Sequence, residues 1–133
     1  MLEDNQVKPS EVSTETASTV RILYPDLHGV ARGKDVPVGE FDHVAEHGIC
    51  FCSAVMGTDL RHTPVVGGEE GYPDMRAVPD MATLLPIPWE PGVSAVIADL
   101  VRVGDERPEP TAPRGSVRRA VACLLYTSDA ADE

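Results

Sequence analysis

Val20-Arg21-Ile22-Leu23-Tyr24-Pro25-Asp26-Leu27-His28-Gly29 alternates apolar and other side chains and then turns. Val20, Ile22 and Tyr24 fall on one face of a strand, because successive side chains on a pleated chain point to opposite sides. Asp26 to Gly29 is turn chemistry, with Gly29 free to take a positive φ, and a second strand through Val30 to Val36 completes a hairpin. Pro37-Val38-Gly39 interrupts that strand. From Glu40 to His47 the period changes from two to that of a helix. Phe41, Val44 and Ala45 share a face, Glu40 and Asp42 sit in the first turn, Gly48 terminates, and His47 lies at the negative end of the helix dipole. Ile49 to Val55 follows as an apolar run, read as a buried strand.

Outward from this core the chain loosens. Met56 to Pro91 is a long connection crowded with Gly and Pro, with short extended pieces at Arg76-Ala77-Val78 and Thr83-Leu84-Leu85. A connection of that length is usually functional or disordered. Its Tyr72, Met75, Val78, Leu84, Leu85 and Trp89 predict that it packs. Val93 to Val103 is the last strand, and Ala95-Val96-Ile97-Ala98, apolar on both faces, predicts a central position. Gly104 to Pro113 has linker composition, and Ser116 to Ala122 starts a helix with nothing left to pack on.

The order is therefore β-β-α-β-loop-β, then a linker and a helix: an α+β domain at 18–105, preceded by a disordered leader at 1–17 rich in Glu, Ser and Thr. Residues 106–122 are expected to be the linker and the start of a further, truncated domain. The last eleven residues, Cys123 to Glu133, change character in mid-helix and match the translation of a sequencing-library transposon adapter, so 123–133 is expected to be a non-native tail.

Composition narrows the function. Eleven Lys and Arg against 22 Asp and Glu leave a net charge of −11 over 133 residues, which would repel nucleic acid and anionic membrane. Hydrophobic residues at 42% and charged residues at 25% fit a globular chain, while 11 Gly and 12 Pro predict a small core and much turn and loop. No apolar run approaches the roughly 20 residues of a membrane helix. The acidic amino end, Met1 to Gln6, is no signal peptide. Cys50, Cys52 and Cys123 are an odd set with two in an i,i+2 pair, which fits reduced thiols in a cytoplasmic protein.

Single motifs are weak. His43 and His47 stand i,i+4 on the helix with Cys50 and Cys52 close behind, but the spacing matches no compact zinc pattern. The pair reads as a solvated helix face, no metal ligand is assigned, and Cys52 reads as a small hydrophobe at a buried strand end. Gly67-Gly68-Glu69-Glu70-Gly71 is acidic and lacks the Lys-Ser/Thr of a phosphate loop. Asp59, Asp74, Asp80, Glu69 and Glu70 could offer oxygen to a hard cation, though loop carboxylates are more often simply solvated. No nucleophile–histidine–acid arrangement is discernible.

The motifs taken together are specific. Val20 to Gly29 followed by Arg32-Gly33-Lys34 resembles the opening hairpin of the glutamine synthetase family. Gly71-Tyr72-Pro73-Asp74-Met75-Arg76-Ala77-Val78-Pro79-Asp80 resembles that family's segment in which an Asp-Met pair precedes Pro-Asp. Thr83-Leu84-Leu85-Pro86-Ile87-Pro88-Trp89 and Ala98-Asp99-Leu100 continue the likeness in order, over about Thr19 to Ala122. The resemblance implies an amino-terminal β-grasp domain, a mixed sheet with one packed helix, followed by the first helix of a catalytic domain that is missing here. It implies an ATP-dependent ligase in which ATP phosphorylates the γ-carboxylate of glutamate and ammonia or an amine displaces the phosphate, with Mg²⁺ neutralising charge. It also implies stacked rings of identical subunits, in which this domain walls an active site completed by a neighbour. The metal and nucleotide residues belong to the absent part, so no catalytic, metal or cofactor-binding residue is named in this chain.

The substrate-side loop departs from the family. Where many members carry Phe-Asp-Gly-Ser-Ser, this chain has Phe51-Cys52-Ser53-Ala54-Val55. The aspartate that attracts ammonium and helps deprotonate it is replaced by Cys52. The resemblance thus implies that Cys52, Ser53 and Asp59 approach substrate, with Asp59 partly restoring the lost charge. The intact protein is expected to prefer an organic amine, or to act on another acid. The rival readings are a free-standing β-grasp interaction module and a catalytically dead regulatory homologue.

Overall fold

The computed structural model describes residues 17–65 and 68–129, with side chains in the last helix as far as Tyr126. The leader up to residue 16, Gly67 of the glycine-rich motif, and the end of the 123–133 tail lie outside the described residues. The elements are β1 (Thr19–Pro25), β2 (Ala31–Pro37), α1 (Val38–His47), β3 (Ile49–Cys52), β4 (Asp74–Pro79), β5 (Leu85–Pro86), β6 (Val93–Arg102) and α2 (Pro113–Asp129). Single 3₁₀ turns lie at Ser53–Met56, Gly68–Glu70 and Met81–Thr83.

The sheet runs β2-β1-β6-β4-β3, with β5 added on β6. Only β1 and β6 pair in parallel, and the other pairs are antiparallel. The hairpin register sets Val20 opposite Val36 and Ile22 opposite Lys34. Val20, Ile22 and Tyr24 are buried as the alternation requires, against Val96, Ala98 and Leu100 of β6 and Phe41 and Val44 of α1. Each such side chain, fully buried, contributes about 1.5–3 kcal/mol of transfer free energy. α1 ends at Gly48, whose φ is 73°. A Cβ there would come within 2.8 Å of the Ala77 carbonyl oxygen, so the position admits only glycine without a shift.

The sheet curls until its two ends meet over the core. Tyr24 of β1 and Phe51 of β3 contact edge to face with centroids 4.7 Å apart. Lys34 of β2 donates to the Cys50 carbonyl at 2.6 Å and sits 4.5 Å above the Phe51 ring.

Five local expectations change. The strand expected over Ile49 to Val55 stops at Cys52, because β3 pairs only with β4 and Cys52–Asp74 is the last pair before the chain tightens into a 3₁₀ turn. As an edge strand it buries one face: Ile49 and Phe51 pack on the core, while Cys50 and Cys52 are exposed, so Cys52 is not a buried hydrophobe. β6 is central in pairing, yet only Ser94, Val96, Ala98 and Leu100 are covered, and Ile97 on the opposite face is 40% exposed. In the long connection Met75 and Leu84 pack, whereas Leu85 and Trp89 stand out in solvent, Trp89 at 82% exposure. The residues after β6 are also held rather than free: Arg102 N–H donates to Arg107 O at 2.8 Å and Glu109 N–H to Leu100 O at 2.9 Å, and Ala112 is buried.

Candidate functional site

The end of β3 delivers the loop that the sequence singles out. Phe51 anchors the strand in the core, so Cys52 must point outward, and its Sγ donates to Tyr72 O at 3.7 Å. Ser53 N–H donates to Pro73 O at 3.1 Å, which ties the start of the 3₁₀ turn to the segment entering β4. Beside this junction lies an open cleft of about 370 Å³, lined among others by Ser53, Met56, Glu70, Asp74, Arg102 and Glu109. Three carboxylates and one guanidinium line it. Glu109 accepts from Thr111 N–H at 3.2 Å and Thr111 Oγ1 at 2.7 Å, and Arg102 stands 3.9 Å from its other oxygen. The local excess of negative charge favours a cationic or amine-bearing guest over an anion.

Asp59 sits elsewhere. Its Oδ1 accepts from Arg61 N–H at 2.8 Å and Thr63 N–H at 2.9 Å, closing a turn within the loop from Gly57 to Val65. That loop is tethered to the β1–β2 turn: His28 Nε2 donates to Thr58 O at 2.9 Å, and Arg32 donates to His62 Nδ1 at 3.0 Å. The turn itself is organised by Asp26, buried, which accepts from His28 N–H and Val30 N–H, each at 2.9 Å, and from Arg32 Nε at 2.8 Å. Burial alone would raise the Asp26 carboxyl. The Val30 amide, the Arg32 guanidinium and the His28 amide outweigh it and hold it below the usual carboxylate range.

Ser53 therefore lines the cleft, Cys52 directly precedes it with its thiol turned to Tyr72 O, and Asp59 belongs to a separate, scaffolded loop. Glu70, Arg102 and Glu109 were not singled out as a cleft by the sequence, since they converge from three distant segments. Asp26 carries a signal, Asp four and six residues before Val30 and Arg32, but it reads only as turn chemistry. Asp80 is engaged by Arg114 and Arg118. Among the described residues no three His, Cys, Asp or Glu side chains converge as a metal group would require, and no helix is long and apolar enough to cross a membrane.

A curled mixed sheet grasping one helix, with a loop cleft at the end of β3, defines an α+β domain of the β-grasp type. No family model matches the chain. It is 32% identical over 122 residues to a type-1 glutamine synthetase 2 from Dictyostelium discoideum, a match covering 88% of this chain and 22% of that protein. It is 32% identical over 131 residues to the gamma-glutamylethanolamide synthetase GlnA4 of Streptomyces coelicolor, covering 92% of this chain and 28% of that protein. Among solved structures, a GmaS/ADP complex superposes with a TM-score of 0.71 at 28% identity, covering 90% of this chain and 25% of the other. The chain belongs to the glutamine synthetase family and corresponds to its amino-terminal β-grasp domain. It spans about a quarter of the length of the relatives it matches.

Proposed function

We propose that this chain is the amino-terminal part of a glutamate–amine ligase whose acceptor is an organic amine rather than free ammonia. The observation that carries the reading is Cys52: an exposed thiol next in sequence to Ser53, which lines an acidic cleft, in the position where many family members place an aspartate. An ammonium ion needs a carboxylate to hold its charge and to receive its proton before it can attack an acyl phosphate. An alkylamine can gain affinity from apolar contact instead, and Met56 lines the cleft. The likeness to a gamma-glutamylethanolamide synthetase supports the same choice.

ATP with Mg²⁺ would supply the activated γ-carboxylate in such a ligase. The described residues do not fit that group, since their carboxylates do not converge as a metal set. On this reading the chain by itself is inactive. Its part is to present Cys52, Ser53 and the tethered Asp59 loop to a site completed by another domain, contributed by a neighbouring copy in a ring.

The test is an assay of the full-length protein, with glutamate and ATP, against ammonium and a panel of alkylamines and amino alcohols. Amide formation is expected with an amine and only weakly with ammonium, and Cys52→Asp is expected to raise ammonium use relative to the amine by about tenfold, some 1.4 kcal/mol. Strong ammonium-dependent glutamine formation by the unaltered protein refutes the amine assignment. A locus that encodes nothing beyond this domain would favour an interaction module.

A further inference from the structure

We propose that His43 and His47, on the exposed face of α1, form a two-point chelate for a borderline divalent transition metal ion such as Zn(II), Ni(II) or Cu(II). The inference is independent of the ligase reading and concerns a different face of the molecule. Phe41 and Val44 turn α1 towards the core, which leaves both histidines in solvent. Residues four apart on a helix lie one above the other, the spacing that lets two imidazoles reach one zinc in helical metal motifs. Here the two rings are close but stacked, with centroids 4.4 Å apart and planes 23° from parallel, so a side-chain rotation brings their lone pairs onto one ion.

The tautomer is also set. His47 Nδ1 lies 3.1 Å from the His43 carbonyl oxygen, which can only accept, so Nδ1 carries the proton and Nε2 is the nitrogen left for a ligand. A ligating histidine is ordinarily oriented in this way, through a hydrogen bond from its other nitrogen to a carbonyl or carboxylate. The surroundings favour a cation. Asp42 and Glu46 are exposed on the same helix, Glu40 lies in its first turn, Glu46 comes within 3.9 Å of His47 Nδ1, and the chain carries a net charge of −11. Two nitrogens select zinc, nickel or copper over Mg²⁺, which prefers an all-oxygen shell.

The sequence invites a mixed site with Cys50 and Cys52, and the fold separates them. Ile49 and Phe51 face the core beneath α1, so the two cysteines face away from it. The chelate is thus nitrogen-only, and water fills its remaining positions. The order His43-Val44-Ala45-Glu46-His47 is that of one class of zinc-peptidase helices, but α1 faces open solvent. The inference is therefore binding, not hydrolysis.

The experiment is a calorimetric titration of the chain with Ni(II) at neutral pH, its cysteines alkylated beforehand, alongside His43→Gln and His47→Gln. One-to-one binding is expected. Each substitution should weaken it by about tenfold or more. In parallel, Zn(II) added to the unaltered chain should shift the imidazole NMR signals of His43 and His47 and leave those of His28 and His62 in place. That second readout needs no substitution to fold. Equal affinity in the variants, or shifts confined to His28 and His62, overturns the assignment.

Discussion

Asp26 has almost no contact with water, yet it keeps its charge because two backbone amides and Arg32 point at it. Its folded-state pKa is depressed, as is that of Asp35, which Arg21 holds at 2.7 Å. The sign follows from linkage. A carboxyl that titrates lower when folded stabilises the native state above its unfolded value of about 3.9, and that stabilisation is lost as pH falls through the folded value. Urea denaturation from about pH 5 downwards should therefore show stability falling, and Asp26→Asn should flatten part of that fall. The same substitution should cost about 1–3 kcal/mol at neutral pH, since it removes a charged acceptor from buried donors. An unchanged pH profile would mean that Asp26 is not the group that titrates. Tyr24, pushed up to about 12 chiefly by burial, has no part in this acid limb.

At the level of elements, α2 is attached by charge more than by packing. Arg114 Nε meets Asp99 at 2.9 Å, Arg118 meets Asp99 at 3.0 Å and Asp80 at 2.6 Å, and Arg114 also pairs with Asp80. Val117 and Val121 remain exposed. Such a clamp is partly solvated, so salt screens it and each pair is worth about 1 kcal/mol or less. Asp80→Asn with Asp99→Asn should speed amide hydrogen exchange in the first turns of α2 and leave the protection of β1 and β6 unchanged. Raising the salt concentration should act in the same direction. Protection of α2 that is indifferent to both would show that packing at Ala112, not the carboxylates, holds the helix.

Across the whole molecule, one face of the sheet is closed by α1 and the curl, and the other is met only by the α2 clamp on Asp99. Ile97, Leu85 and Trp89 together with Val117 and Val121 present apolar surface that a stable monomer would ordinarily cover. The chain is expected to associate with rising concentration despite its net charge, and sedimentation velocity at two concentrations reads this directly. A single sharp monomer boundary at both would contradict it. Association and the α2 clamp are separable, because only the clamp weakens with salt while apolar contact strengthens.

The hairpin, α1 and their stops were written locally: Val20, Ile22 and Tyr24 at period two, Phe41 and Val44 at helical spacing, Gly29 and Gly48 where the backbone must turn left-handed. Such signals lie within a few residues of what they determine, so a single sequence carries them, and the collinear motifs carried the family. Which face β6 buries, where Ile49 to Val55 stops being strand, and why Trp89 stands in solvent were decided by which strands lie alongside. The cleft beside Ser53 and the tether of the Asp59 loop likewise depend on partners far along the chain, as does the Asp80–Arg118 pair, 38 residues apart. Charge and burial are properties of neighbours in space, and only the closed fold determines who those neighbours are.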